Sequence, residues 1–162
     1  MSSLPNIENH RIHGIMKSMP SQTHIKAWAR LVRISDQLLR SIETDLKAQG
    51  YPNLSIYDAL LELNRKSDTG LRPYELEREM LLPQYNISRL VTRLTDKGYI
   101  SRSKVKEDGR GQILRITQSG KDLLKAMWPH YAQAIERHVG SKISTHEAEQ
   151  ICELLLKLRD PK

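Results

Sequence analysis

Apolar residues recur along most of this chain at helical spacing, and one stretch alone reads as strand. From about 22 to 49, Ile25, Trp28, Val32, Ser35, Leu39, Ile42 and Leu46 alternate spacings of three and four, with Leu31 and Leu38 widening the stripe. That spacing predicts one long helix with a seam for another helix, closed by Gly50-Tyr51-Pro52. A second helix starts at Leu54 with Ser55 as its N-cap. After a Ser67-Asp68-Thr69-Gly70 turn, a short third helix covers 73–80 with Pro73 in its first turn. Ile87, Leu90, Val91 and Leu94 stand at i, i+3, i+4 and i+7, which predicts a fourth helix over 84–97, stopped by Gly98. Residues 99–105 and 112–117 mix β-branched, aromatic and polar side chains, as two short strands around a turn with two glycines would. Thr117 then caps a long helix through Leu123, Leu124, Met127, Trp128, Tyr131, Ile135 and Val139, in which Pro129 predicts a kink or break. Ser144-Thr145-His146-Glu147 is a capping box ahead of a terminal helix with Ala148, Ile151, Leu154, Leu155 and Leu158 on its apolar side. The fold class is therefore mainly α with a small β-hairpin.

The polar side of the fourth helix carries the chemistry. At about 100° per residue, the face opposite the apolar stripe collects Tyr85, Ser88, Arg89, Thr92 and Asp96, with Arg93 at its edge. Hydrogen-bonding groups and a guanidinium near a helix N-terminus suit the major groove of duplex DNA, where Arg pairs with guanine and short polar groups read other edges. The hairpin tip bears Lys106 and Arg110, which can reach phosphates or a narrow minor groove. A basic helix followed by such a hairpin is a winged helix-turn-helix. Charge supports it: the chain carries +7 net, and residues 83–115 hold eight basic against three acidic residues, so +5 of the +7 falls there. A concentrated positive footprint favours a polyanionic partner.

With 38% hydrophobic and 28% charged residues, the chain offers a small core and leaves helical faces to be buried by a second copy. The expected organisation is an N-terminal arm over 1–20, a dimerisation helix over 21–50, a DNA-binding domain over 54–120 and C-terminal dimerisation helices over 121–162. The lone Cys152 excludes an intrachain disulfide and, beside Ile151, is expected to be a buried, inert thiol. The start lacks a secretion-signal pattern and no apolar run reaches membrane-spanning length, so the expectation is a cytoplasmic protein with no membrane partner. The six histidines lack metal-ligand spacing, and His10 and His13 read as parts of a solvent-facing tail. There is no Gly-rich phosphate loop, nucleophile motif or pair of carboxylates in a pocket context, which argues against an enzyme and against a cofactor. Two other readings stay open: an RNA-binding module, disfavoured by the lack of any Phe and of strand-borne aromatics, and a helical protein-interaction adaptor.

Taken together over about 22–158, the chain resembles the MarR family of bacterial transcription regulators. The resemblance is sharpest in Ile87-Ser88-Arg89-Leu90-Val91-Thr92-Arg93-Leu94-Thr95-Asp96-Lys97-Gly98-Tyr99-Ile100-Ser101-Arg102, in Asp108-Gly109-Arg110, and in Leu114-Arg115-Ile116-Thr117-Gln118-Ser119-Gly120. It implies a homodimer joined through its terminal helices, with each basic helix in a major groove and each wing in the flanking minor groove of a pseudo-palindromic operator. It makes Arg110 the wing-tip arginine, Asp108 the acid that holds the wing in shape, and Arg89 and Arg93 helix contacts to backbone and bases. With Gln84, Tyr85, Asn86, Ser88, Thr92 and Lys106 these complete the candidate DNA-contacting set. The family often opens this helix with a Ser or Thr cap, whereas Leu81-Leu82-Pro83-Gln84-Tyr85 stands here. A small aromatic or anionic effector between the dimerisation helices and the DNA-binding lobe would act by preferring one spacing of the two reading helices. Its candidate pocket residues are His24, Trp28 and Tyr57.

Overall fold

A computed structural model describes residues 19–81, 86–104 and 111–159 of the chain. They divide into two compact units, Met1–Leu39 and Arg40–Lys162. The first helix, α1 (Gln22–Ala48), begins in the first unit and ends in the second. In the first unit Ser21 caps it, its Oγ accepting from the His24 backbone N–H at 3.2 Å. The apolar residues of that part, Ile25, Trp28, Leu31, Val32, Ile34 and Leu39, are all exposed.

The second unit is built around α2 (Leu54–Arg65), which is buried along nearly its whole length. Ile42 and Leu46 from the last turns of α1 enter the same core. The predicted cap shifts by two residues. Asn53 takes the N-cap position in extended backbone (φ −64°, ψ 161°), and the Leu54 N–H is met from outside by Glu43 Oε1 at 3.2 Å, so Ser55 is left to donate to Asn53 Oδ1 at 3.1 Å. Two acids lie buried on this helix, Asp58 and Glu62. Burial raises the Glu62 carboxyl above its ordinary pKa, while its ion pair with Arg65 pulls the other way.

Helices α3 (Pro73–Glu79) and α4 (Ile87–Asp96) follow, then an antiparallel hairpin of β1 (Ile100–Lys104) and β2 (Gln112–Ile116), paired from Ile100 with Ile116 to Lys104 with Gln112. Leu71 adds an isolated bridge on the other side of β2: its N–H donates to Leu114 O at 3.0 Å and its carbonyl accepts from Leu114 N at 2.8 Å. Gly70 makes that approach possible, because at φ +73° a Cβ there would sit 2.6 Å from Leu114 O. Helix α5 (Gln118–Ile135) starts on Thr117. Pro129 does not break it; Met127 and Ala134, both buried, hold the helix in the core on either side, and the irregularity falls instead in a π-helical turn over Glu136–Gly140. That turn is tied back to α1: Asp45 Oδ2 accepts from Arg137 Nη1 at 3.0 Å and lies 2.9 Å from His138 Nε2.

Ser144 and Glu147 form the predicted capping box of α6 (Thr145–Leu156), none of whose side chains is buried. Ile151, Leu154, Leu155 and Leu156 are exposed on it, and Cys152 is exposed as well. The expectation of a buried thiol fails in the single chain, since this helix packs too lightly to cover its own apolar side. Among the described residues no helix is long and apolar enough to cross a membrane.

Candidate nucleic-acid interface

Helix α4 has two faces. Leu90, Val91 and Leu94 are buried and anchor it, with Ile87 packed at the margin of the core. Ser88, Arg89, Thr92, Arg93, Asp96 and Lys97 line an open groove on the other side. Among the described residues neither Arg89 nor Arg93 meets a carboxylate, so both guanidinium groups stay available for an anion or a base edge. Asn86 is the N-cap, its Oδ1 accepting from the Arg89 N–H at 3.0 Å. The backbone of Arg89 is thereby fixed while its side chain is left outward.

The exit from α4 explains a motif. Gly98, at φ +71°, turns the chain into β1. Thr117 then joins three parts at one point: its N–H donates to Tyr99 O at 3.0 Å, its hydroxyl donates to Gly98 O at 2.7 Å, and the same oxygen accepts from the Gly120 N–H at 3.2 Å. Gly120 must lack a Cβ, which would stand 2.4 Å from Tyr99 O. The Thr-Gln-Ser-Gly run thus seats the start of α5 against the turn between reading helix and hairpin.

Two further arginines hold the hairpin. Arg115 donates from Nη1 to Ser103 Oγ at 3.0 Å and from Nη2 to Thr69 O at 3.0 Å. Arg102 reaches across to α4, donating from Nε to Thr95 Oγ1 at 2.8 Å and from Nη2 to Thr92 Oγ1 at 3.2 Å. The sequence reading gave Arg102 no role of its own. It shares the strand parity of buried Ile100 but is itself exposed, so its contacts with α4 follow from no burial requirement that the sequence could reveal.

Of the candidate DNA-contacting residues, Ser88, Arg89, Thr92 and Arg93 stand together on the exposed face of α4, next to Asn86 at its cap. Gln84, Tyr85, Lys106, Asp108 and Arg110 lie outside the described residues. Of the candidate effector residues, His24 and Trp28 belong to the first unit and Tyr57 to the second. The His24 Nδ1 lies 3.0 Å from Ser21 Oγ, and Trp28 is 67% exposed. Tyr57 packs edge-on to Tyr131 at 5.1 Å, which packs edge-on to Trp128 at 6.2 Å. Burial is the main cause that raises both phenols: Tyr131 adds to it at Tyr57, where Arg65 opposes, and Asp58 adds to it at Tyr131. Both therefore stay neutral hydrogen-bonding groups at physiological pH.

Comparison with known proteins points the same way. The family model described as MarR family matches residues 54–111. The transcriptional repressor MprA of Escherichia coli strain K12 is 27% identical over 127 residues, covering 78% of this chain and 71% of its own. In fold, the chain is similar to Sco3205, a MarR family transcriptional regulator from Streptomyces coelicolor solved in complex with DNA. That match has a TM-score of 0.75 at 19% identity and covers 86% of this chain and 91% of the other. It is also similar to BpsR of Bordetella bronchiseptica, whose DNA binding is regulated by 6-hydroxynicotinic acid. There the TM-score is 0.72 at 17% identity, over 83% of this chain and 99% of the other.

Proposed function

We propose that the chain, whose residues 54–111 match the MarR family model, is a winged helix-turn-helix DNA-binding transcriptional regulator of that family and acts as a homodimer on a pseudo-palindromic operator. In this reading α4 enters the major groove. Arg89 pairs with a guanine edge, Arg93 and Ser88 hold phosphate or neighbouring edges, and Thr92 presents its hydroxyl to a base. Gln84 and Tyr85 extend the reading surface at the helix entry. Lys106 and Arg110 contact the flanking minor groove, and Asp108 shapes the wing. The observation that carries the proposal is the exposed face of α4, where two arginines without carboxylate partners among the described residues stand on a helix anchored by three buried apolar residues.

A second copy accounts for the surfaces that one chain leaves bare. Ile25, Trp28, Val32 and Leu39 on α1, and Ile151, Leu154 and Leu155 on α6, are apolar and exposed. Such faces are uncommon on a monomer and mark an association surface. The dimer then sets the distance between two α4 helices, and operator spacing follows from it. A small aromatic or anionic effector would act by favouring one such distance. DNA binding by BpsR, which is similar in fold, is regulated by a small molecule. A DNA partner goes with a cytoplasmic protein in this reading.

Selection of bound duplexes from a random pool with the purified protein tests the proposal. An inverted repeat with half-sites about one helical turn, roughly 10 bp, apart is the expected result. A preference for single strands or RNA, or retention of duplex without any selected sequence, would overturn it in favour of a non-specific binder or a protein adaptor.

A further inference from the structure

We infer that Arg102 is a positioning residue for base recognition: from the wing strand it fixes the Thr92 hydroxyl of α4 as a hydrogen-bond donor toward the groove. The inference rests on the proposed reading of α4 as the helix that enters the DNA. The geometry assigns each proton. Thr95 Oγ1 donates its hydrogen to Val91 O at 2.8 Å, so toward Arg102 Nε, at 2.8 Å, it can only accept. The guanidinium is thereby set in one orientation, and its Nη2 donates to Thr92 Oγ1 at 3.2 Å. A threonine hydroxyl has one hydrogen and two lone pairs. Accepting from a cation polarises the Thr92 hydroxyl, which makes it a stronger donor and a weaker acceptor for a further partner on the exposed side of the helix, where Ser88, Arg89 and Arg93 are its neighbours.

A committed donor discriminates between bases. In the major groove guanine presents N7 and O6, adenine N7 and thymine O4 as acceptors, whereas the cytosine edge presents only the N4 donor. An unfixed threonine rotates to suit either kind of edge; one held by Arg102 favours an acceptor and disfavours cytosine. The hold needs two donors at a fixed angle, which the planar fork of arginine supplies and the single ammonium of lysine does not.

The test begins with the base-preference profile of the wild-type protein, obtained by selection from random duplexes. It is then repeated for Arg102→Gln, Arg102→Lys, Thr92→Val and Arg102→Gln with Thr92→Val. All three single variants should flatten the preference at the same one position per half-site, by about tenfold, within the range for one base-edge contact. The double variant should lose no more than Thr92→Val alone, because both act through one hydroxyl. Thr92 lies on the exposed side of α4, so its variant keeps the reading surface folded and the comparison valid.

Two results would overturn the inference while leaving the DNA-binding reading intact. One is Arg102→Lys restoring the wild-type profile. The other is Arg102→Gln weakening selected and random duplex equally, with the salt slope reduced by roughly 0.9 as for one lost phosphate contact. A wild-type protein that selects no sequence would overturn the reading of α4, and this inference with it.

Discussion

Arg89 and Gly120 are the two residues whose chemistry is most exposed to experiment. Arg89→Ala removes a guanidinium but leaves the Asn86 cap, which binds its backbone N–H. It should cost roughly 1–3 kcal/mol of binding to the selected operator if the side chain reads a base edge. Competition titration at fixed salt measures this, and an equal loss on random duplex would assign Arg89 to phosphate. Gly120→Ala should reverse the usual trend. In most helical positions alanine is better than glycine by about 1 kcal/mol, but here the added carbon would meet Tyr99 O at 2.4 Å and Ile116 Cγ1 at 2.8 Å. A net destabilisation of about 1–3 kcal/mol is expected from such overpacking, visible as a lower urea midpoint; an unchanged or raised midpoint would refute the close approach. The sequence showed which residues on α4 face outward, because a stripe of four apolar residues leaves no choice for the rest. It did not show the cross-links made by Arg102 and Arg115, since those depend on the twist that brings a strand beside a helix.

Helices α1 to α6 and the hairpin appear where apolar periodicity and turn residues placed them, with most ends within a residue or two, α4 starting three residues late and α5 ending four residues early. The departures have local causes. The start of α2 at Leu54 was legible, but its N-cap was misplaced, because Glu43, eleven positions earlier, satisfies the Leu54 N–H and Asn53 takes the cap position. Of the kink or break expected at Pro129, the break does not occur, since buried residues on both sides hold α5 continuous. The bridge at Leu71 escaped notice because a single paired residue has no pattern. Helix α6 offers a pH test of its own. The Glu147 carboxyl is held below its ordinary pKa chiefly by the backbone N–H of Ser144, then by the Ser144 hydroxyl, both at 2.8 Å. A lowered carboxylate contributes to helix stability above its unfolded value and loses that contribution as pH falls through the folded one. The first turn of α6 should therefore open as acidity passes below the usual glutamate range, seen as faster amide exchange at residues 144–148. In Glu147→Gln that acid-dependent step should be absent.

For the whole molecule the sharpest expectation concerns assembly. None of the side chains of α6 is buried, so Leu154→Glu with Leu155→Glu should leave the core of the second unit folded. Sedimentation should nevertheless show a monomer where the proposed reading expects a dimer of the wild-type protein, and the selected inverted repeat should lose its advantage over a single half-site. A dimer that survives both substitutions would place the association surface elsewhere. Charge makes a second expectation: with +5 of the net +7 in residues 83–115, operator binding should weaken steeply with salt, by about 0.9 log units per log unit for each phosphate neutralised. The basic module was legible, because eight basic and only three acidic residues fall in 83–115. How two copies meet was not, since one sequence specifies a sticky face without naming the angle at which it is covered. The bridge from Leu71 to Leu114 has a practical consequence. It clamps the returning strand from its far side, so the position of that strand does not rest on the length of the segment linking the hairpin's two arms. In the proposed reading, where the hairpin reaches the flanking groove, segments of other lengths grafted between Lys104 and Gly111 should leave this register in place while changing the flanking preference.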